Sequence, residues 1–127
     1  MRLGAITLFA RDVDALAQFY RDALGLGETV DDSPRYRELD GGGARVGFAF
    51  AGAYDLLDLT SERDPTGLRS VLTFDVATER LDDAVERAVA SGARVIKPPF
   101  TTHFGARMTV LVDPEGNAFR LNAARAA

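Results

Sequence analysis

The chain has 127 residues, 46% hydrophobic and 27% charged, with a net charge of −4, one histidine and no cysteine. That is length for one domain, with about two-thirds of the unfolded surface buried on folding. The acidic balance argues against a nucleic-acid partner, which would want a basic face, and the missing cysteines exclude disulfides and thiolate chemistry. No apolar run has the length of a membrane span, and the N-terminus lacks the layout of a signal peptide. The expected protein is therefore cytoplasmic, without membrane contacts.

The first predicted element is a strand in "LGAITLFA" (3–10), where residues alternate. Asp12 is placed to cap a helix whose apolar residues Val13, Leu16, Ala17, Tyr20, Ala23 and Leu24 share one face, and Gly25 stops it. Three strands follow, "GETVDD", "RYREL" and, past the Gly41-Gly42-Gly43 turn, "ARVGFAF". Then the order repeats. "SVLTFDV" is a strand, and "TERLDDAVERAVASG" is a helix presenting Leu81, Ala84, Val85, Ala88 and Val89. "ARVIKP", "RMTVLV" and "AFRLNA" are strands, the last two joined by the Asp113–Asn117 turn. A strand-like "YDLLDL" and a polar stretch bearing Pro and Gly join the halves.

Strand, helix and three strands, written twice, is an internal repeat. Module one covers about 1–52, a linker about 53–67 and module two about 68–127, all within a single domain 1–127. Neither copy can bury both its sheet and its helix alone. The expected fold is α+β: the two βαβββ modules pair into one cupped sheet with the helices outside.

"ITLFARDVDALAQFYRDALGL", "FGARMTVLVDPEGNAFRL" and the paired modules together resemble the vicinal oxygen chelate superfamily, which includes glyoxalase I, bleomycin-resistance proteins and extradiol dioxygenases. The likeness spans essentially the whole chain and implies two paired βαβββ modules forming an open, cupped barrel with the helices outside. It implies, in metal-using members, four inward ligands on the first and last strands of each module. Carried across, these positions fall at Ala5, Val71, near Gly47 and at Arg120. A slip of two residues from Gly47, to Arg45 or Ala49, supplies no ligand either. None of these side chains can coordinate a divalent ion. The expectation is a metal-lacking branch of the superfamily, with no cofactor.

Alternation then defines the lining of the cup. Ala5, Thr7 and Phe9 should face inward while Ile6 and Leu8 pack under the helix. Val71, Thr73 and Asp75 should face inward, with Leu72, Phe74 and Val76 outward. On the last strand Arg120 should face inward, between Phe119 and Leu121, which face the helix. A buried guanidinium needs an anion, so Arg120 is either paired with Asp75 or another acid, or waits for an anionic ligand. Thr7 and Thr73 are ligand contacts or ordinary strand residues. His103, in a loop at the rim, has the side chain suited to proton transfer, or is simply surface. Phe100 and Phe104 beside it can stack on a flat ligand or pack within the loop, and Tyr36 and Phe50 are similar candidates. Tyr20 belongs to the core, and Asp113, Gly116 and Asn117 to a turn. "DGGGAR" lacks the lysine and helix of a phosphate loop.

Three functions fit. The first is a metal-independent small-molecule-binding protein for drug or metabolite sequestration. The resemblance to bleomycin-resistance proteins implies a dimer whose subunits build the sites together, so a homodimer is expected. The second is a metal-independent lyase, isomerase or cyclase, with His103 or Asp75 as base and Arg120 stabilising an oxyanion. The third is an accessory domain without turnover. Fold alone does not choose among them.

Overall fold

In the computed structural model, residues 3–53, 70–102 and 105–123 are described. The chain divides into two compact units, Met1–Thr66 and Gly67–Ala127. The strand-like 54–59 segment and most of the linker lie outside the described residues.

Module one runs β1 (Ala5–Phe9), α1 (Val13–Leu24), β2 (Glu28–Asp32), β3 (Tyr36–Asp40) and β4 (Arg45–Ala49). Its strands are ordered β1-β4-β3-β2, with β1 parallel to β4 and the other pairs antiparallel. Asp12 caps α1 by accepting from the Ala15 N–H at 3.0 Å, and Gly25 ends it at φ 70°. That backbone region costs glycine nothing. Helix α1 buries Val13, Leu16, Ala17, Phe19, Tyr20 and Ala23. The Tyr20 ring lies 5.4 Å from that of Phe48, on β4. Burial of each large side chain contributes about 1.5–3 kcal/mol.

Module two repeats the order: β5 (Leu72–Asp75), a single 3-10 turn (Thr78–Arg80), α2 (Leu81–Ala90), β6 (Arg94–Thr101), β7 (Arg107–Val112) and β8 (Ala118–Ala123). The strands are ordered β5-β8-β7-β6, again with first and last parallel. The fold is thus α+β with two mixed four-stranded sheets, and neither sheet is closed into a barrel.

Helix α2 departs from its predicted face. Leu81 and Ala88 are buried, Ala84 and Val85 half-buried, but Val89 is 47% exposed. At 100° per residue Val89 points about 80° away from Leu81, at the margin of the stripe. The turn between β7 and β8 is held by Asp113, which is buried. Its Oδ1 accepts from the Glu115 and Asn117 backbone N–H groups at 2.8 and 3.0 Å, and its Oδ2 accepts from Asn117 Nδ2 at 2.8 Å.

At the other border of this sheet, β6 carries Lys97, Pro98 and Pro99, and its pairing with β7 slips twice, between Val95 and Lys97 and between Lys97 and Phe100. At the slip the Thr109 hydroxyl donates to the Lys97 carbonyl at 2.7 Å, satisfying a group that the interrupted ladder would leave unpaired.

Candidate functional site

Residues directly opposite one another on neighbouring strands share a face. In module two this gives the row Lys97–Val110–Arg120–Thr73, next to the row Phe100–Met108–Asn122–Asp75. The intervening residues Leu72, Phe119, Leu121 and Leu111 are buried on the other face. Arg120 therefore stands on the face opposite those buried residues. Its Nε donates to the Thr73 hydroxyl at 2.6 Å.

The pairing of Arg120 with Asp75 is not formed. Asp75 accepts instead from Asn122 Nδ2 at 3.3 Å. Among the described residues no carboxylate lies within ion-pair distance of Arg120. The premise of a buried guanidinium is also corrected: Arg120 is exposed, so water solvates it and no internal acid is required. Two strands away in the same row, across Val110, the Lys97 ammonium sits 3.9 Å from the centroid of the Phe100 ring, a cation–π contact. The module thus offers two cations, a hydroxyl and an aromatic ring on one face.

Module one presents Thr7, Gly47 and Glu38 in one row and Phe9, Ala49 and Tyr36 in the next. Leu8, Phe48 and Leu39 are buried on the face that receives α1. Glu38, which the sequence did not single out, is the polar centre here. It is only 6% exposed. Its Oε1 accepts from the Tyr36 hydroxyl at 3.0 Å and its Oε2 from the Thr29 hydroxyl at 2.8 Å, with Arg45 Nη1 3.9 Å from Oε2. Burial first, then the hydrogen bond and charge of Glu38, push the Tyr36 phenol above its ordinary pKa. Tyr36 stays a neutral hydroxyl at physiological pH.

Gly47 makes this arrangement possible. A Cβ there would stand 2.6 Å from the Tyr36 hydroxyl and 3.1 Å from Thr7 Oγ1. The position implied for a metal ligand is therefore filled by a phenol from the neighbouring strand. Ala5, Val71, Gly47 and Arg120 do not fit a divalent ion, since none offers a suitable donor. Among the described residues no three His, Cys, Asp or Glu side chains are grouped to hold one.

Of the remaining predicted contacts, Phe9 and Tyr36 are half-buried and Thr7, Thr73 and Asp75 exposed. Phe50 lies past the end of β4, 42% exposed, its ring against Gly52. His103 and Phe104 lie outside the described residues.

The glyoxalase-like domain family matches residues 5–122. The chain belongs to that family. A glyoxalase/bleomycin resistance protein/dioxygenase family enzyme from Burkholderia phytofirmans PsJN shares the fold with a TM-score of 0.93 and 37% identity, over 98% of this chain and 100% of that one. The fosfomycin resistance protein FosX from Mesorhizobium loti has a TM-score of 0.73 at 14% identity, covering 98% and 92% of the two chains, a likeness of fold alone. CFP32 of Mycobacterium bovis, provisionally named a glyoxylase, is 27% identical over 126 residues, which cover 91% of this chain and 43% of CFP32. The glyoxalase-like chain thus spans under half the length of that curated relative. Among the described residues no helix is long and apolar enough to cross a membrane.

Proposed function

We propose that this glyoxalase-like chain is a metal-independent binding protein for a small anionic molecule, acting as one domain within a cytoplasmic homodimer. The observation that carries the reading is the state of Arg120. Thr73 engages its Nε, and among the described residues no acid neutralises it. Its two terminal nitrogens are left for an outside acceptor, and a planar fork suits a carboxylate, enolate or phenolate. Lys97 adds positive charge on the same face, and the Phe100 ring beneath it offers an apolar flank for a flat molecule. Metal independence is supported by the four unsuitable side chains and by the Tyr36 hydroxyl standing at Gly47.

A second reading is a metal-independent lyase, isomerase or cyclase. It is favoured by Asp75, one row from Arg120 and oriented by Asn122. A carboxylate base beside a cation that stabilises an oxyanion is the arrangement proton abstraction needs.

Calorimetric titration with benzoate, salicylate and uncharged methyl benzoate tests the proposal. The two anions should bind at least tenfold more tightly than the ester, and Arg120→Met should abolish the difference. Equal binding of ester and acids, or an unchanged preference in the variant, would overturn it. Elemental analysis of dialysed protein should find no stoichiometric transition metal. About one zinc, iron, nickel or manganese per chain would defeat metal independence.

A further inference from the structure

We propose that the molecule bound at Arg120 is a zwitterion, whose ammonium group is taken by Asp75. The inference rests on the anion-binding reading of Arg120 and names the second charge of the same ligand.

Arg120, Thr73, Asp75 and Asn122 form a block of four on one face of module two. Thr73 stands opposite Arg120, and Asp75 opposite Asn122, on two parallel strands. The two charged side chains therefore occupy one diagonal of the block and the two neutral ones the other. Strand geometry puts the backbones of Arg120 and Asp75 about 8 Å apart, a gap that an arginine and an aspartate can close. They do not close it. Each is held by its neutral neighbour: Arg120 Nε donates to the Thr73 hydroxyl at 2.6 Å, and Asp75 Oδ1 accepts from Asn122 Nδ2 at 3.3 Å. Among the described residues neither charge has an ion pair, and both side chains are exposed.

Held apart in this way, each group keeps its capacity for a counter-charge. The terminal nitrogens of Arg120 only donate, and Oδ2 of Asp75 only accepts. Asn122 deepens the shortage of donors at the acidic corner. Its Nδ2 is committed to Asp75, and its Oδ1 is buried without a hydrogen-bond partner. One end of the block thus lacks acceptors and the other lacks donors.

The chemistry of the occupant follows. A simple carboxylate meets Arg120 but is repelled by Asp75, and a simple amine meets Asp75 but is repelled by Arg120. A molecule with both groups meets each charge with its opposite, and an ammonium brings three donors. The body of the ligand is set by the rest of the row. Met108 lies next to Asn122 and Phe100 beyond it, an apolar strip that suits a ring.

Calorimetric titration with 3-(aminomethyl)benzoate, 3-ethylbenzoate and methyl 3-ethylbenzoate tests the proposal. The first two share a carboxylate and nearly one shape, and differ in the ammonium. The zwitterion should bind at least tenfold more tightly than 3-ethylbenzoate. Asp75→Asn keeps an acceptor for Asn122 and removes only the charge. In that variant the preference should shrink to less than twofold, while 3-ethylbenzoate binds at least as tightly as before. Equal binding of the zwitterion and 3-ethylbenzoate, a preference that survives Asp75→Asn, or weaker binding of 3-ethylbenzoate to that variant would overturn the proposal. Failure of the anion reading has a different signature: 3-ethylbenzoate then binds no more tightly than its methyl ester, to wild type and to Arg120→Met alike, and this proposal falls with it.

Discussion

The Tyr36 ring reaches across Gly47, its hydroxyl only 2.6 Å from the point where a Cβ on that glycine would stand. Gly47→Ala should therefore push Tyr36 off Glu38 and cost about 1–3 kcal/mol, as overpacking does in a tight interior. Adding Tyr36→Phe, which shortens the side chain by the clashing oxygen, should recover part of that loss. Urea unfolding of the two single variants and the double variant measures both terms. Additive losses would show that the two residues do not meet.

Arg120→Met should leave stability within about 0.5 kcal/mol of wild type, the range of ordinary surface changes. Arg120 is exposed, and its hydrogen bond goes to a hydroxyl, not to a carboxylate that its loss would strand. A drop of several kcal/mol on thermal unfolding would instead reveal an acid that depends on it.

Asp113→Ala should be among the most damaging polar substitutions in module two, costing about 3 kcal/mol. Three hydrogen bonds to a buried carboxylate disappear, and the Glu115 and Asn117 N–H groups lose their acceptor. Asp113→Asn, which keeps one oxygen, should lose less. Equal losses in chemical denaturation would show that both oxygens are essential to the turn.

Asp31 predicts the acid response of module one. The Ser33 hydroxyl and then the Ser33 backbone N–H hold its carboxyl below the ordinary aspartate pKa, with the charges of Arg37 and Arg21 adding to the effect. A depressed folded pKa gives stability that is present above the unfolded value near 3.8 and lost as pH falls through the folded one. Ser33→Ala should lower stability at neutral pH, and the gap to wild type should close in strong acid. A gap that is constant with pH would mean that Asp31 does not carry it.

Much of the fold was legible because it rests on local chemistry. The Asp12 cap, the Gly25 stop, the strand alternation and the Asp113 turn each follow from a few neighbouring residues. Arg120 was placed on the correct face by the buried residues on either side, Phe119 and Leu121. Its partner was not legible, since Thr73 and Asp75 share that face and register alone decides which is opposite. Glu38 was missed because "RYREL" reads as a charged strand bound for solvent. The available signal was Tyr36 and Glu38 two residues apart, on a strand paired with one that carries an interior glycine. Val89 fits the helical stripe in sequence, but α2 turns it to the margin.

Strand β6 has a consequence for how the protein behaves in a crowded solution. A sheet border normally invites another chain to add a strand, the first step toward fibrous aggregates. Here Pro98 and Pro99 bring no N–H groups, the two slips break the spacing of those that are left, and Lys97 brings charge. Ile96, half exposed on the same strand, would otherwise make this border adhesive. The prolines thus act as a barrier to self-templating. Replacing both by valine would return two N–H groups and two β-branched residues to the strand and turn the border of module two into a seed for aggregation.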